Sequence, residues 1–219
     1  MTGVTVVDHP LVARHLSVLR DRATPSSDFR RRLSDISMLL LYEALRDLRV
    51  REDQLETPLE TTGGMRLADE IVVIAILRAG LGMTDGALRL IPEARVGHLG
   101  LYRDEESLRP VGYYESIPRH AADAEMIVVD PMLATGGSAV HAINRLKRDL
   151  ERSGDEAAAR GSGRMRFVCL VAAPEGLAAM QEAHPDVPIW CAAVDRQLDE
   201  RGYIRPGLGD AGDRVFGTE

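Results

Sequence analysis

The middle of the chain carries a run of residue types that suit phosphate binding. Residues 126–129, Met-Ile-Val-Val, form an apolar run ending at Asp130, and Thr-Gly-Gly-Ser at 135–138 follows a short loop and opens a helical pattern. Glycines let the backbone approach a ligand closely, and the free amides of a helix N-terminus attract an anion. Thr135 and Ser138 add hydroxyl donors. The pattern predicts an anion cradle, with Asp130 placed to hold hydroxyl groups or a magnesium-bound group.

A capped helix after a tight turn is the plainer interpretation of the same run. We favour the cradle because an acidic residue followed by Thr-Gly-Gly-Ser, directly after an apolar strand pattern, is an unusual combination. The GxxxxGK[ST] pattern of a P-loop does not occur in the chain, which excludes an ATPase of that type.

Arg78 follows another apolar run, residues 71–77, and stands before two glycines in Leu-Arg-Ala-Gly-Leu-Gly. Those glycines suit a tight turn, and a guanidinium can contact a phosphate through two parallel hydrogen bonds. Arg103 follows the run at 96–102. A surface salt bridge is the alternative for each arginine taken alone. Beside the cradle, phosphate contact becomes the preferred interpretation.

A glycine-rich segment lies near the C-terminus. Residues 207–212 match GxGxxG, but a dinucleotide-binding fingerprint needs a helix and a further strand after it, and only seven residues follow Gly212. The sequence therefore argues against an NAD site. A glycine-rich C-terminal loop is the alternative that the residues alone leave open.

The elements that must position these residues alternate along the chain. Five apolar runs rich in β-branched residues predict strands covered on both faces, and they lie at 71–77, 96–102, 126–130, 167–173 and 188–194. Helical patterns stand between them at 84–90, 137–150 and 175–183. This alternation predicts a doubly wound α/β fold with a mostly parallel central sheet flanked by helices.

The remaining segments surround this alternating part. Residues 1–50 are predicted to be helical and 51–69 to be a polar connection. Residues 104–120 predict a flexible arm or hairpin that could cover a site or reach a partner subunit, and 151–165 predict a surface insertion. The length of 219 residues suggests one domain over 1–219, with a C-terminal segment at 194–217.

Composition excludes several classes of protein. The longest apolar run, 71–77, is too short to span a membrane, and no signal peptide pattern opens the chain. A net charge of −7 without basic blocks argues against a nucleic-acid partner. Cys169 and Cys191 stand in apolar runs, which predicts buried free thiols in a reducing cytoplasm. No CxxC or HxxxH spacing indicates structural zinc.

The run at 128–138, Val-Val-Asp-Pro-Met-Leu-Ala-Thr-Gly-Gly-Ser, resembles the phosphoribosyl pyrophosphate motif of the type I phosphoribosyltransferases. It is most similar to the uracil phosphoribosyltransferase branch, in which Pro131 is usual where most of the wider class has a second acidic residue. The resemblance implies the type I phosphoribosyltransferase fold. It also implies that magnesium depends less on protein carboxylates here.

The resemblance implies a role for individual residues. Phosphoribosyl pyrophosphate would contact Arg78, Arg103, Asp130, Pro131, Met132, Leu133, Ala134, Thr135, Gly136, Gly137, Ser138 and Asp210. Uracil would contact Ile204, Gly209, Asp210 and Ala211, chiefly through their backbone. The two arginines would bind the leaving pyrophosphate. Residues 134–138 would bind the 5′-phosphate, and Asp130 would bind the ribose hydroxyls. Tyr203 is equally compatible with stacking on the base and with packing.

The implied reaction joins uracil to 5-phospho-α-D-ribose 1-diphosphate and gives UMP and pyrophosphate. The resemblance further implies Mg²⁺ bound through the substrate and water with no direct protein ligand, a homo-oligomer (dimer or higher), and activation by GTP in some members. No residue is identified as a general base. Two alternatives stay open at this point, namely an RNA-binding regulator of pyrimidine genes with the same fold, and transfer to another base such as a purine.

Overall fold

In the computed structural model, a central sheet contains every run that was predicted to be a strand. The structure describes residues 3–103, 110–118, 124–152 and 164–218. The strands are β1 (Val4–Val6), β2 (Val50–Glu56), β3 (Thr61–Leu67), β4 (Ile71–Leu77), β5 (Arg95–Arg103), β6 (Pro110–Ser116), β7 (Glu125–Val129), β8 (Met132–Leu133), β9 (Met165–Ala172), β10 (Ile189–Val194), β11 (Gln197–Leu198) and β12 (Ile204–Arg205). The helices are α1 (Pro10–Arg20), α2 (Ser26–Ala44), α3 (Leu81–Leu90), α4 (Gly137–Arg152), α5 (Pro174–Ala183) and α6 (Ala211–Phe216).

The described sheet has eight strands in the order β1-β10-β9-β7-β4-β5-β6, with β8 pairing β9. All of its pairs are parallel except β5 with β6. Register places Val73 between Val96 of β5 and Ile127 of β7. Since parallel strands end at one edge, the loops after β4, β7 and β9 converge there.

Helices cover both faces of the sheet, which explains the continuous apolar runs. On β4, Val72 and Ile74 pack in a cluster that includes Ile143 of α4. Their neighbours Val73 and Ala75 point to the other face, into a cluster with residues of α1, α2 and α3. The predicted α/β architecture, a mostly parallel sheet flanked by helices, is confirmed.

The predictions for the N-terminal part were partly wrong. Helices α1 and α2 confirm the helical expectation, but β1 precedes them and pairs in parallel with β10. The predicted connection at 51–69 is largely an antiparallel hairpin of β2 and β3, paired from Val50↔Leu67 to Glu56↔Thr61. Every residue of β2 is exposed, so the hairpin has no buried face to impose an alternating apolar pattern.

The predicted arm at 104–120 is only partly described. Residues 110–116 form β6, which runs antiparallel to β5, and Pro110 stands at its start, where a proline is tolerated. Residues 104–109 and 119–120 lie outside the described residues. The predicted insertion at 151–165 also falls mostly outside them, at 153–163. Its role as an insertion therefore stays a prediction.

Two further expectations concern cysteines and membranes. Cys169 and Cys191 are buried and free, and they are register partners on β9 and β10. The prediction of buried free thiols is confirmed. In the described ranges, no helix combines the length and apolarity needed to cross a bilayer.

Candidate functional site

A cavity of about 230 Å³ lies where β7 and the C-terminal segment meet. It is lined by Ala79, Asp130, Met132, Ala134, Gly202, Tyr203, Ile204, Gly209, Asp210, Ala211 and Gly212. The anion-cradle run and the glycine-rich segment, which are far apart in sequence, therefore form opposite walls of one space.

The loop after β7 is fixed to the sheet beneath it. The backbone amides of Leu170 and Val171 donate to the carbonyl of Pro131 at 3.1 and 3.2 Å, and Ala173 donates to Leu133 at 2.9 Å. The Leu133 side chain is buried in the core. Pro131 and Leu133 thus anchor the loop from below, which leaves its upper side available to a ligand.

Helix α5 packs closely against the same loop. A Cβ on Gly176 would lie 2.5 Å from the carbonyl oxygen of Ala134, so only glycine fits there. Gly136 has a φ of +81°, and a Cβ on it would lie 2.9 Å from Cβ of Ala179. The tight packing holds the loop in the curved shape that leads into the N-terminus of α4. This is the geometry expected of an anion cradle.

A groove of about 570 Å³ borders this loop on the side of α4 and α5. Thr135, Gly136 and Gly137 line it together with His141 and Asn144. Ser138, in the first turn of α4, is exposed. The residues predicted to bind the 5′-phosphate therefore lie next to the 230 Å³ cavity rather than inside it, with Ala134 lining the cavity itself.

Asp130 occupies the end of β7 with its carboxyl at the cavity. Burial raises the pKa of Asp130 to about 7; the backbone amide of Met132 lowers it, and repulsion from Asp210 raises it. The amide of Met132 donates to Oδ1 of Asp130 at 3.3 Å. The carboxyl is therefore partly protonated near neutral pH, and a ligand that donates hydrogen bonds to it favours the ionised form.

This pKa leads to a prediction for the pH dependence of the reaction. We expect kcat/KM for the ligand held by Asp130 to fall as the pH drops below about 7, because only the carboxylate accepts two hydroxyl donors. Phosphate groups also titrate near pH 6. The measurement is a pH profile from 5 to 9 for the wild type and for Asp130→Asn, whose profile should lack the limb contributed by Asp130. Identical profiles would contradict the assignment.

Arg78 lies in the turn between β4 and α3. The turn passes close to both strands, since a Cβ on Gly80 would lie 2.6 Å from the Ile76 carbonyl oxygen and 2.7 Å from that of Val129. The Leu77–Arg78 peptide bond is cis. Nη2 of Arg78 lies 3.2 Å from Oδ1 of Asp213 in α6. Arg78 thus lies beside Gly212 of the cavity wall, and Asp213 is its one ion-pair partner among the described residues.

Glycines and a small alanine make up much of the C-terminal wall of the cavity. Gly207 and Gly209 have φ values of +62° and +78°, which other residues rarely adopt. Asp210 caps α6 by accepting a hydrogen bond from the Asp213 amide at 3.0 Å. Residues 209–212 line the cavity, and Gly209 and Gly212 have no side chain.

The structure brings eight of the residues that the sequence singled out to one cavity. They are Asp130, Met132, Ala134, Tyr203, Ile204, Gly209, Asp210 and Ala211. The backbone of Arg103 ends β5, and its side chain lies outside the description. The sequence interpretation missed Ala79, Gly202 and Gly212, which line the cavity as well. Each stands one or two residues from a predicted site residue, and that adjacency was the available signal.

Comparison with known proteins gives the family. A family model described as uracil phosphoribosyltransferase matches residues 6–218. The chain belongs to the uracil phosphoribosyltransferase family. A uracil phosphoribosyltransferase of Salinibacter ruber is 54% identical over 218 residues, covering 100% of this chain and 99% of the relative. That of Listeria innocua is 52% identical over 220 residues, with all of both chains covered.

Solved structures show the same fold. A protein from Aquifex aeolicus superposes with a TM-score of 0.85 at 35% identity, covering 99% of each chain. An adenine phosphoribosyl transferase from Trypanosoma brucei has a TM-score of 0.53 at 9% identity, covering 92% of this chain and 87% of its own, and this likeness concerns the fold alone. The resemblance noted in the sequence is confirmed, and the fold of this uracil phosphoribosyltransferase family member is that of type I phosphoribosyltransferases.

Proposed function

We propose that the chain transfers the phosphoribosyl group of 5-phospho-α-D-ribose 1-diphosphate to uracil in the 230 Å³ cavity, releasing UMP and pyrophosphate. The observation that carries the proposal is the shared cavity, which Asp130, Met132 and Ala134 line together with residues 209–211. We call the loop at 131–138, which borders this cavity, the phosphate loop. The base and the ribose must meet at one carbon atom, so their two binding segments must border one space. Membership of the uracil phosphoribosyltransferase family supports the choice of base.

The backbone wall suits the edge of uracil. Uracil presents an acceptor, a donor and an acceptor in a row at O2, N3–H and O4. The backbone amides and carbonyls at Ile204 and at 209–211 offer the complementary groups, and Ala211 and Gly209 leave room for a planar ring. A purine would need a larger space and a different order of donors. The wall therefore favours uracil.

The reaction separates charge at two places. As the bond to the pyrophosphate lengthens, the ribose becomes cationic and the leaving group gains negative charge. Arg78 is placed beside the cavity to stabilise the leaving group, and Arg103 is proposed to assist it. The carboxylate of Asp130 orients the ribose hydroxyls, and the amides of the loop at 134–138 hold the 5′-phosphate. Catalysis by these residues is electrostatic and positional.

Magnesium fits this site as a companion of the substrate. In the described part of the chain, no three acidic, His or Cys side chains come close enough to hold a metal ion by themselves. Asp130 and Asp210 do share the cavity, and Mg²⁺ is commonly bound by one or two carboxylates, substrate phosphates and water. When bound, the ion would neutralise charge on the pyrophosphate. Asp130 and Asp210 would hold it through water or substrate oxygens.

We further propose activation by GTP, assembly into a dimer or a larger homo-oligomer, residence in the cytoplasm and the lack of a nucleic-acid partner. The acidic net charge of −7 supports the last of these.

An assay of base specificity tests the proposed function. Release of pyrophosphate is measured with uracil, cytosine, hypoxanthine and orotate offered separately, with Mg²⁺ and phosphoribosyl pyrophosphate in excess. We expect turnover with uracil alone. Turnover with hypoxanthine would contradict the proposed base. No turnover, with tight salt-dependent retention of RNA on a filter, would instead indicate the RNA-binding regulator.

A further inference from the structure

The turn that presents the base-binding backbone is tied to α1 by an ion pair outside the cavity. Arg20 ends α1, and Asp195 directly follows β10. Nη1 and Nη2 of Arg20 donate to the two carboxylate oxygens of Asp195 at 2.8 and 2.6 Å, a bidentate pair. The Asp195 side chain is 5% exposed, and that of Arg20 is 23% exposed. The pair is thus largely shielded from water.

Both members of the pair also bind one residue of the turn. Nη1 of Arg20 donates to the Gly207 carbonyl at 2.7 Å, and the Gly207 amide donates to Oδ2 of Asp195 at 2.9 Å. The three residues form a closed ring of hydrogen bonds, which we call the Gly207 clamp. This ring of hydrogen bonds restrains rotation of the two peptide groups of Gly207.

The turn needs such a clamp because its own residues do not fix it. Gly207 and Gly209 are two positions apart, and glycine restricts the backbone least. The turn between β12 and α6 belongs to no strand, so no ladder of sheet hydrogen bonds holds it. The residues that follow, 209–211, line the cavity, and their backbone is proposed to bind the base. A rotation at Gly207 would therefore move the groups proposed to read the base.

Arg214 also connects the turn to the end of α1. Its Nη1 donates to the Leu208 carbonyl at 2.9 Å, and its Nη2 donates to the carbonyl of Asp21 at 2.6 Å. Its guanidinium stacks 4.4 Å from the ring centre of Phe29. Two arginines thus connect the turn to the end of α1, and none of these contacts involves a residue of the phosphate loop.

Stability alone does not account for the Arg20–Asp195 pair. The desolvation energy of two buried charges offsets much of the energy of their attraction. A shielded ion pair therefore often stabilises a fold no better than apolar residues of similar volume. Its bidentate geometry does fix orientation. The value of the pair therefore lies in where it places Gly207.

We propose that Arg20 and Asp195 are positioning residues that set the affinity for the base and the choice of base. The inference rests on the proposed function, because it assigns base reading to the backbone of 209–211. Breaking the clamp should weaken uracil binding and leave phosphoribosyl pyrophosphate binding nearly unchanged, since the phosphate loop is held separately by β9 and α5.

Steady-state kinetics of Asp195→Asn and Arg20→Gln tests the proposal. We expect KM for uracil to rise about tenfold or more, as loss of a charge-assisted hydrogen bond implies, with KM for phosphoribosyl pyrophosphate within about twofold of wild type. The preference for uracil over cytosine should fall. A parallel rise of both KM values, or no change in either, would overturn the proposal.

Lys147→Met is the matched control. Lys147 makes a partly buried bidentate pair with Asp186, at 2.8 and 2.7 Å, and neither residue lines the cavity. Its loss should change thermal stability to a similar degree without moving KM for uracil. If Asp195→Asn does not fold, the apolar replacement Arg20→Met with Asp195→Leu keeps the volume and is assayed in its place.

Hydrogen exchange tests the clamp independently of catalysis. The amides of residues 207–211 should exchange about tenfold faster or more in Arg20→Gln than in the wild type or Lys147→Met. Unchanged exchange would overturn the proposal even if the enzyme were inactive with uracil. An inactive wild type would contradict the proposed function, whereas an active wild type with unmoved uracil KM in the variants would contradict the clamp.

Discussion

Arg78→Ala is expected to lower kcat/KM for phosphoribosyl transfer by about 10²–10³-fold, the usual effect of removing one donor to developing charge. The guanidinium lies beside the cavity and is proposed to stabilise the leaving pyrophosphate. It is 56% exposed, and its single described ion pair, with Asp213, spans 3.2 Å. Such a pair contributes about 0–1 kcal/mol to stability, so the variant should fold normally.

Arg95→Ala is the control for this experiment. Arg95 is 54% exposed and pairs with Glu70 at 2.5 Å, but it stands at the start of β5, at the opposite edge of the sheet from the cavity. Steady-state kinetics and thermal unfolding are measured for both variants. We expect normal kinetics for Arg95→Ala, and Arg103→Ala should follow Arg78→Ala in direction. A loss of less than about threefold in Arg78→Ala would remove Arg78 from the mechanism.

The sheet could be predicted from the sequence because of where its strands lie. Strands β4, β7 and β9 are covered by helices on both faces, so their sequences must be apolar throughout. A continuous run such as Ile71–Leu77 is also too short for most helices. Burial on both faces therefore left a pattern that identified each strand without knowledge of its partners.

The hairpin of β2 and β3 left no such pattern. Its residues are mostly exposed, and in the described part of the chain the two strands pair only with each other. The pairing depends on backbone hydrogen bonds, which any residue except proline can make. Strand β1 has three residues, too few to show a period. The hairpin was missed because it has no buried face, and β1 was missed because it is too short.

The site was predictable in its members but not in its electrostatics. Asp130 could be named from the anion-cradle pattern, and Gly209 from the resemblance to the uracil phosphoribosyltransferases. That Asp130 is buried and feels the charge of Asp210 depends on two segments meeting at one cavity. The Gly207 clamp could not be predicted from the sequence, because Arg20 and Asp195 are separated by most of the chain and neither belongs to a motif.

Asp130→Asn is expected to make the protein more stable and less active. The pKa of Asp130 is about 7 in the folded chain against 3.8 as the ordinary value, so the folded state binds more protons between these values. Stability must then fall as pH rises from about 4 to 7, and the full cost of ionisation persists above 7. Asparagine carries no charge and avoids this cost.

The dependence of stability on the pKa of Asp130 also gives the expected size of the stability difference and a control variant. Unfolding by denaturant should show Asp130→Asn to be more stable by up to about 4 kcal/mol at pH 8, about 1.36 kcal/mol for each pH unit between 3.8 and about 7, with the gain vanishing below about pH 4. Asp47→Asn should behave oppositely, because a hydrogen bond from Arg166 lowers the pKa of Asp47. That variant loses stability at pH 8 and converges with the wild type in acid.

Asp130→Asn should lower the activity although it raises the stability. The amide accepts from the ribose hydroxyls without charge, so kcat/KM for phosphoribosyl pyrophosphate should fall about 10–100-fold at pH 8. A variant that is both less stable and less active at pH 8 would show that Asp130 serves the fold through contacts to its loop. The expected opposite movement instead means that the folded chain tolerates an unfavourable carboxylate at this position because the ribose of the substrate needs it.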